Sequence, residues 1–183
     1  DDGGASHFVQ TLEAIHTRTP ETKIEILIPD LQGNWQALGE ILGAGPHVLN
    51  HNLETVPRLY PRVRPEAEYK RSLELLKIAK ELSPGTPTKS GVMLGLGETI
   101  DELRKTMRDL LDNNCDILTL GQYLQPSRSH LPVERFVPPE EFDSLREEAK
   151  RLGFKGVASS PTVRSSFEAG ILYSQVVEAI KTC

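Results

Sequence analysis

Cysteine is almost missing from this sequence. Only Cys115 and the last residue, Cys183, occur among 183 residues, which excludes a disulfide scaffold. Two thiols so far apart cannot by themselves hold an iron–sulfur cluster. Long apolar runs are missing too. Stretches such as Ile24-Glu25-Ile26-Leu27-Ile28 are far too short to span a bilayer. An excess of basic charge is missing: 21 Lys and Arg against 26 Asp and Glu leave a net charge of -5, so no footprint for nucleic acid is visible. No charged-then-apolar leader opens the chain, so export has no support. Neither a G-x-G-x-x-G opening a helix nor a Walker loop occurs. What remains is 38% hydrophobic and 26% charged residues, the balance of a soluble globular protein long enough for a sizeable core. The opening Asp1-Asp2-Gly3-Gly4 reads as the inside of a longer sequence.

Two hydrophobic periods alternate along the chain. Val9, Leu12 and Ile15 recur at helical spacing up to Pro20, and Lys23 to Pro29 is a β-branched run suited to a buried strand. Asn34 caps a helix through Trp35, Leu38 and Ile41 that ends at Gly43 to Gly45. His47 to Leu49 reads as a weak strand and Pro65 to Leu82 as a strong amphipathic helix. Lys89 to Leu94 reads as a strand, and Thr99 caps a helix over Ile100 to Leu111. Asp116 to Leu120 is a strand, Glu140 to Leu152 a helix closed by Gly153, Phe154 to Ala158 a strand and Ala169 to Lys181 a final helix. Strands alternating with helices predict an α/β fold with a parallel sheet, either doubly wound or part of a (β/α) barrel. No linker or repeat interrupts residues 1–183, so a single domain is expected.

In both architectures ligands bind at the C-terminal ends of the strands. The unusual polar segments follow those ends, while the opposite loops, such as Ser83-Pro84-Gly85, are plain turns. Asn52 and Glu54 alternate in an extended segment, so both could face one ligand, an amino acid or ribose hydroxyls; a turn initiating a helix at Pro57 is the plainer reading. His51 has no second His or Cys at ligand spacing. Gly91 and Gly95 flank Met93 in a strand, which suggests something flat lying against it or a close helix. Glu98 precedes the Thr99 cap. Gln122, Leu124, Gln125 and Pro126 belong to a loop able to offer backbone hydrogen bonds to an adenine edge, or equally a well-satisfied surface loop. Arg164-Ser165-Ser166 could hold an anion or a metal-bound ligand, or cap a helix. Cys115 reads as a small buried hydrophobe.

Seven segments together resemble lipoyl synthase, a family within the radical S-adenosylmethionine superfamily. They are His51 to Arg58, Arg64-Pro65, Pro87 to Gly91, Gly95 to Thr99, Leu118 to Ser127, His130 to Val133 and Val163 to Phe167. The resemblance runs from about Asp1 to Ala169. It implies a partial (β/α) barrel, truncated here at its N-terminus, and two [4Fe-4S] clusters in the full-length enzyme. One cluster cleaves S-adenosylmethionine to a 5′-deoxyadenosyl radical; the other supplies two sulfur atoms to an octanoyl chain. That chain is carried on a lysine of a lipoyl carrier protein, a lipoyl domain or H protein. The family's C-terminal Arg-Ser-Ser-aromatic motif supplies a serine ligand to the auxiliary cluster, which points here to Ser165 or Ser166. By the same resemblance Gly91, Met93, Gly95 and Glu98 would lie near S-adenosylmethionine. Asn52, Glu54, Gln122 and Leu124-Gln125-Pro126 would complete its pocket or the radical's path, with Arg164 alongside.

The sequence departs from the family in two respects. Both cysteine triads, which lie upstream in the family, are absent, and Phe167 stands where tyrosine is commoner. Either the chain is the C-terminal part of a longer enzyme, which the opening residues and the five strands favour, or it is a relic without radical chemistry. It is expected to be inactive and poorly stable alone, with cytoplasmic location or an organellar one if an address lies upstream. The alternative from another class is a non-enzymatic α/β module binding a nucleoside or a partner protein.

Overall fold

The structure is a computed structural model and describes residues 2–181. Five strands, β1 (Glu25–Leu27), β2 (Val48–Asn50), β3 (Thr88–Leu94), β4 (Ile117–Gln122) and β5 (Gly156–Ser159), lie side by side in chain order. All neighbouring pairs are parallel. A doubly wound sheet changes direction at a switch point. This sheet does not, and its sequential order is that of a barrel wall left open.

Helices α1 (Ala5–Arg18), α2 (Trp35–Gly43), α3 (Tyr60–Val63), α4 (Tyr69–Leu82), α5 (Ile100–Asp112), α6 (Pro139–Leu152) and α7 (Ala169–Lys181) complete the chain. Alternation along each strand sorts its side chains onto two faces. On one face Ile26, Leu49, Val92, Leu118 and Val157 form the main core with buried residues of α1, α2, α4, α5 and α6, such as Leu12, Leu38, Leu76, Met107 and Phe142. On the other face Val48, Ile117 and Ala158 pack against Leu172 and Val176 of α7. The last helix therefore plugs the inner face near the N-terminal ends of the strands and leaves the C-terminal ends open.

Two expectations are corrected. The Lys23 to Pro29 run is not a fully buried strand: β1 covers three residues at the sheet edge, and Leu27 is 50% exposed because no further strand flanks it among the described residues. The helix expected from Pro65 begins only at Tyr69. Pro65 disfavours helical geometry at Arg64, whose φ of -138° ends α3, and a turn from Ala67 N–H to the Arg64 carbonyl fills the gap. The short α3 itself carries no periodicity long enough to read. Elsewhere local chemistry acts as anticipated. The Asn34 side chain accepts from Ala37 N–H, Gly153 closes α6 at φ 119°, and Thr99 and Glu102 form a reciprocal capping box on α5. The Thr99→Ala variant removes one half of that box and is expected to lower stability by about 1 kcal/mol; an unchanged urea midpoint would contradict it.

Candidate functional site

A cavity of about 220 Å³ opens on the inner face at the C-terminal ends of the strands. Its shape follows from two missing side chains. A Cβ on Gly91 would sit 2.8 Å from Thr119 Oγ1 and 2.9 Å from Asn52 Oδ1, so both polar atoms approach the bare backbone. A Cβ on Gly121 would collide with the Val163 carbonyl oxygen. Glycine at these positions lets the loop after β5 fold in over β4 and close one wall.

The opposite wall is Asn52 and Glu54. After β2 leaves the sheet, Glu54 rejoins β3: its N–H donates to the Gly91 carbonyl at 2.9 Å, and its carbonyl accepts from Met93 N–H at 2.8 Å. Glu54 holds φ 67°, a left-handed conformation that non-glycine residues seldom adopt. This clamp fixes its carboxyl at the cavity. Burial pushes the Glu54 carboxyl up from the ordinary range, and the Asn52 side chain and the Arg64 charge pull it only partly back. Arg64 also donates to the Asn52 carbonyl at 2.8 Å. Asn52 Oδ1 is buried without a hydrogen-bond partner, a condition that costs free energy unless a ligand or water supplies a donor.

Of the residues singled out from sequence, Asn52, Glu54, Gly91, Met93, Gln122, Leu124, Arg164 and Ser165 line this cavity. Gly95, Glu98, Gln125, Pro126 and Ser166 are not among the lining residues. Glu98 uses both carboxylate oxygens on its own loop, accepting from Gly95 N–H at 2.7 Å and Leu96 N–H at 2.9 Å. Gly95 at φ 97° leaves room for the Arg135 carbonyl and the Gln122 amide. Gln122 lines the cavity, but its amide is spent on scaffold: Nε2 donates to the Tyr123 and Arg135 carbonyls at 3.0 and 3.1 Å, and Oε1 accepts from Val137 N–H at 2.9 Å. It therefore ties down the returning loop over residues 123–138. Gln125 holds the tip of that loop through the His130 carbonyl. Arg164 donates to its neighbour's Val163 carbonyl at 2.7 Å, and Ser166 is exposed where Ser165 is half-buried.

Loops or strand ends from β2, β3, β4 and β5 thus converge on one cavity. The loop after β1 does not join them; Pro29 and Asp30 line a separate groove with Arg64. Thr119, Gly121 and Val163 belong to the lining and escaped sequence reading. The period-two spacing of Ile117, Thr119 and Gly121 was the available signal, but the run reads as uniformly apolar core.

Among the described residues no group of three or more His, Cys, Asp or Glu could hold a metal ion. Cys115 is buried; burial, reinforced by the Asp116 charge, pushes its thiol far up, and Cys183 lies outside the described residues. The residues present therefore do not fit an iron–sulfur cluster bound by thiolates. They do fit a polar organic ligand, since the cavity has a donor-seeking amide, a buried carboxyl, a cation and apolar flanks.

Residues 4–110 match the Radical SAM superfamily, and the chain belongs to that superfamily. Within it the similarity is to lipoyl synthases. The chain is 57% identical over 169 residues to the lipoyl synthase of Methylococcus capsulatus, covering 92% of this chain and 52% of that protein. It is 58% identical over 169 residues to that of Nitrosococcus oceani, with the same coverage of 92% and 52%. With that of Desulfotalea psychrophila it shares 57% identity over 180 residues, 98% of this chain and 60% of the relative. The chain thus spans a little over half the length of these curated relatives.

His51 stands just behind the Asn52–Glu54 wall. It is 1% exposed, with Nδ1 2.9 Å from the Ile28 carbonyl. Burial pushes its imidazole below the usual 6.5, more than the Ile28 hydrogen bond restores. The unfolded chain takes up a proton near pH 6.5 where the folded chain does not, so stability is complete above that pH and is lost as the pH falls below it. Melting temperature is expected to drop on acidification through this window, and to drop less steeply in the His51→Gln variant. Identical pH dependence in the two proteins would contradict this.

Proposed function

We propose that this chain forms the S-adenosylmethionine pocket and substrate-facing part of a lipoyl synthase. The whole enzyme inserts two sulfur atoms into the octanoyl chain of a lipoyl carrier protein, in the cytoplasm. The observation that carries the reading is the unpartnered, buried Asn52 Oδ1 beside Glu54 in a cavity at the strand ends.

In this reading Asn52 Oδ1 accepts a hydroxyl hydrogen from the ribose, and Glu54 takes another. The Glu54 carboxyl offers two acceptor oxygens for such a hydroxyl. Met93 and Leu124 supply apolar flanks for the flat base, and the bare backbone of Gly91 lets the ligand approach β3. Arg164 faces the anionic end of the ligand. Bound S-adenosylmethionine supplies the hydrogen-abstracting chemistry, with an electron from a cluster held by cysteines outside this chain. The second cluster draws its hydroxyl ligand from Ser165 or Ser166, of which Ser165 faces the cavity.

The test uses the full-length protein, prepared anaerobically with iron and sulfide and given S-adenosylmethionine and an octanoyl-lysyl carrier peptide. The expected result is 5′-deoxyadenosine together with a peptide that has gained two sulfur atoms. Binding of S-adenosylmethionine with neither product would overturn the reading.

A further inference from the structure

Beneath the cavity lies a buried ion pair that the proposed chemistry leaves unexplained. Lys89, on the inner face of β3 two residues before Gly91, has a fully buried side chain. Its Nζ donates to both oxygens of Glu25 on β1, at 2.9 and 3.0 Å, reaching across β2. Between them on β2, Asn50 Nδ2 donates to Glu25 Oε1 at 3.2 Å. Val48 and Ile117, the register partners of Glu25 and Lys89, pack against Leu172 and Val176 of α7. Above this layer Asn52, Gly91 and Thr119 line the cavity.

Lys89 is removed from water while Glu25 keeps 19% of its side chain exposed. Taking the lysine's charge inside costs free energy, and apolar side chains of like volume would serve the fold as well. The pair's effect on its neighbours points to another role. Glu25 takes one N–H of the Asn50 amide, and Asn50 Oδ1 is buried without a partner. Asn52 Oδ1, two residues further along the same face, is in the same condition. The Lys89 ammonium has three N–H donors, of which two are spent on Glu25.

We propose that Lys89, Glu25 and Asn50 form a charged floor that holds ordered internal water against Asn50 Oδ1. Through that water the floor positions the Asn52 amide for the cavity's ligand. A buried polar site with two or more partners is where such water resides. The third Lys89 N–H donates to it, and its own hydrogens satisfy the amide oxygens above. Lys89 is then a positioning residue: it touches no ligand and acts through Asn52. The inference rests on the reading that the cavity takes S-adenosylmethionine.

The test uses the full-length protein, the Lys89→Met variant and the double variant Glu25→Gln, Lys89→Met. The single variant leaves a half-buried carboxylate unpaired and is expected to lower both the unfolding midpoint and S-adenosylmethionine affinity. The double variant removes both charges together. It is expected to recover the midpoint while its Kd, by calorimetry, stays about tenfold weaker, as loss of one well-placed hydrogen-bond path implies. Recovery of both midpoint and affinity would reduce the pair to a structural strut and overturn the inference. High-resolution diffraction from the unsubstituted protein gives an independent readout: density for water within hydrogen-bond distance of Asn50 Oδ1 supports the floor, and an empty site overturns it. If the unsubstituted protein binds no S-adenosylmethionine, the cavity's reading fails, while the diffraction result still decides the floor.

Discussion

In a parallel sheet whose outer face is packed with helices, the inner face is the only place left for a ligand, and its depth depends on side-chain size. Every second residue points inward. Here the bottom inward layer is apolar and plugged by α7. Beside its Val48 and Ile117, in the same register, stand an ion pair and an asparagine, and the next inward position on β3 has a bare glycine at Gly91. Removing that one side chain turns a filled lumen into a cavity, and Gly121 lets the last loop close its wall.

The polar residues around the opening divide by where their hydrogen bonds go. Glu98 and Gln122 spend theirs on backbone groups of the loops they belong to or return to, and so hold the walls still. Asn50 and Asn52 each keep a carbonyl oxygen unpartnered in the interior. Unsatisfied buried acceptors weaken a fold unless something meets them, so these atoms mark where a ligand or water belongs. The Glu54 clamp on β3 belongs to the same design: a residue held in left-handed conformation by two backbone hydrogen bonds cannot swing away when the ligand leaves.

The strand and helix order was legible because each element carries its own period, and strong caps such as Asn34 and the Thr99–Glu102 box mark helix starts in one dimension. What was hidden depends on contacts distant in sequence. Whether β1 is covered depends on what lies beside it, and Leu27 alone does not say. Gln122 and Arg135 carry no local sign that one will hold the other's carbonyl. Asn52 and Glu54 were legible because both lie on one short extended segment. Lys89 was not: a lysine in an apolar run reads as a strand end, and its partner Glu25 sits 64 residues away. Glu98 carries no local sign that both its carboxylate oxygens close its own loop.

The most direct measurement is S-adenosylmethionine affinity in the Gly91→Ala variant of the full-length protein, with its unfolding midpoint followed alongside. The added methyl would press on Thr119 Oγ1 and Asn52 Oδ1 within the hollow. The account predicts at least about a tenfold loss of affinity in a protein that remains folded. Undiminished binding in that folded variant would contradict it.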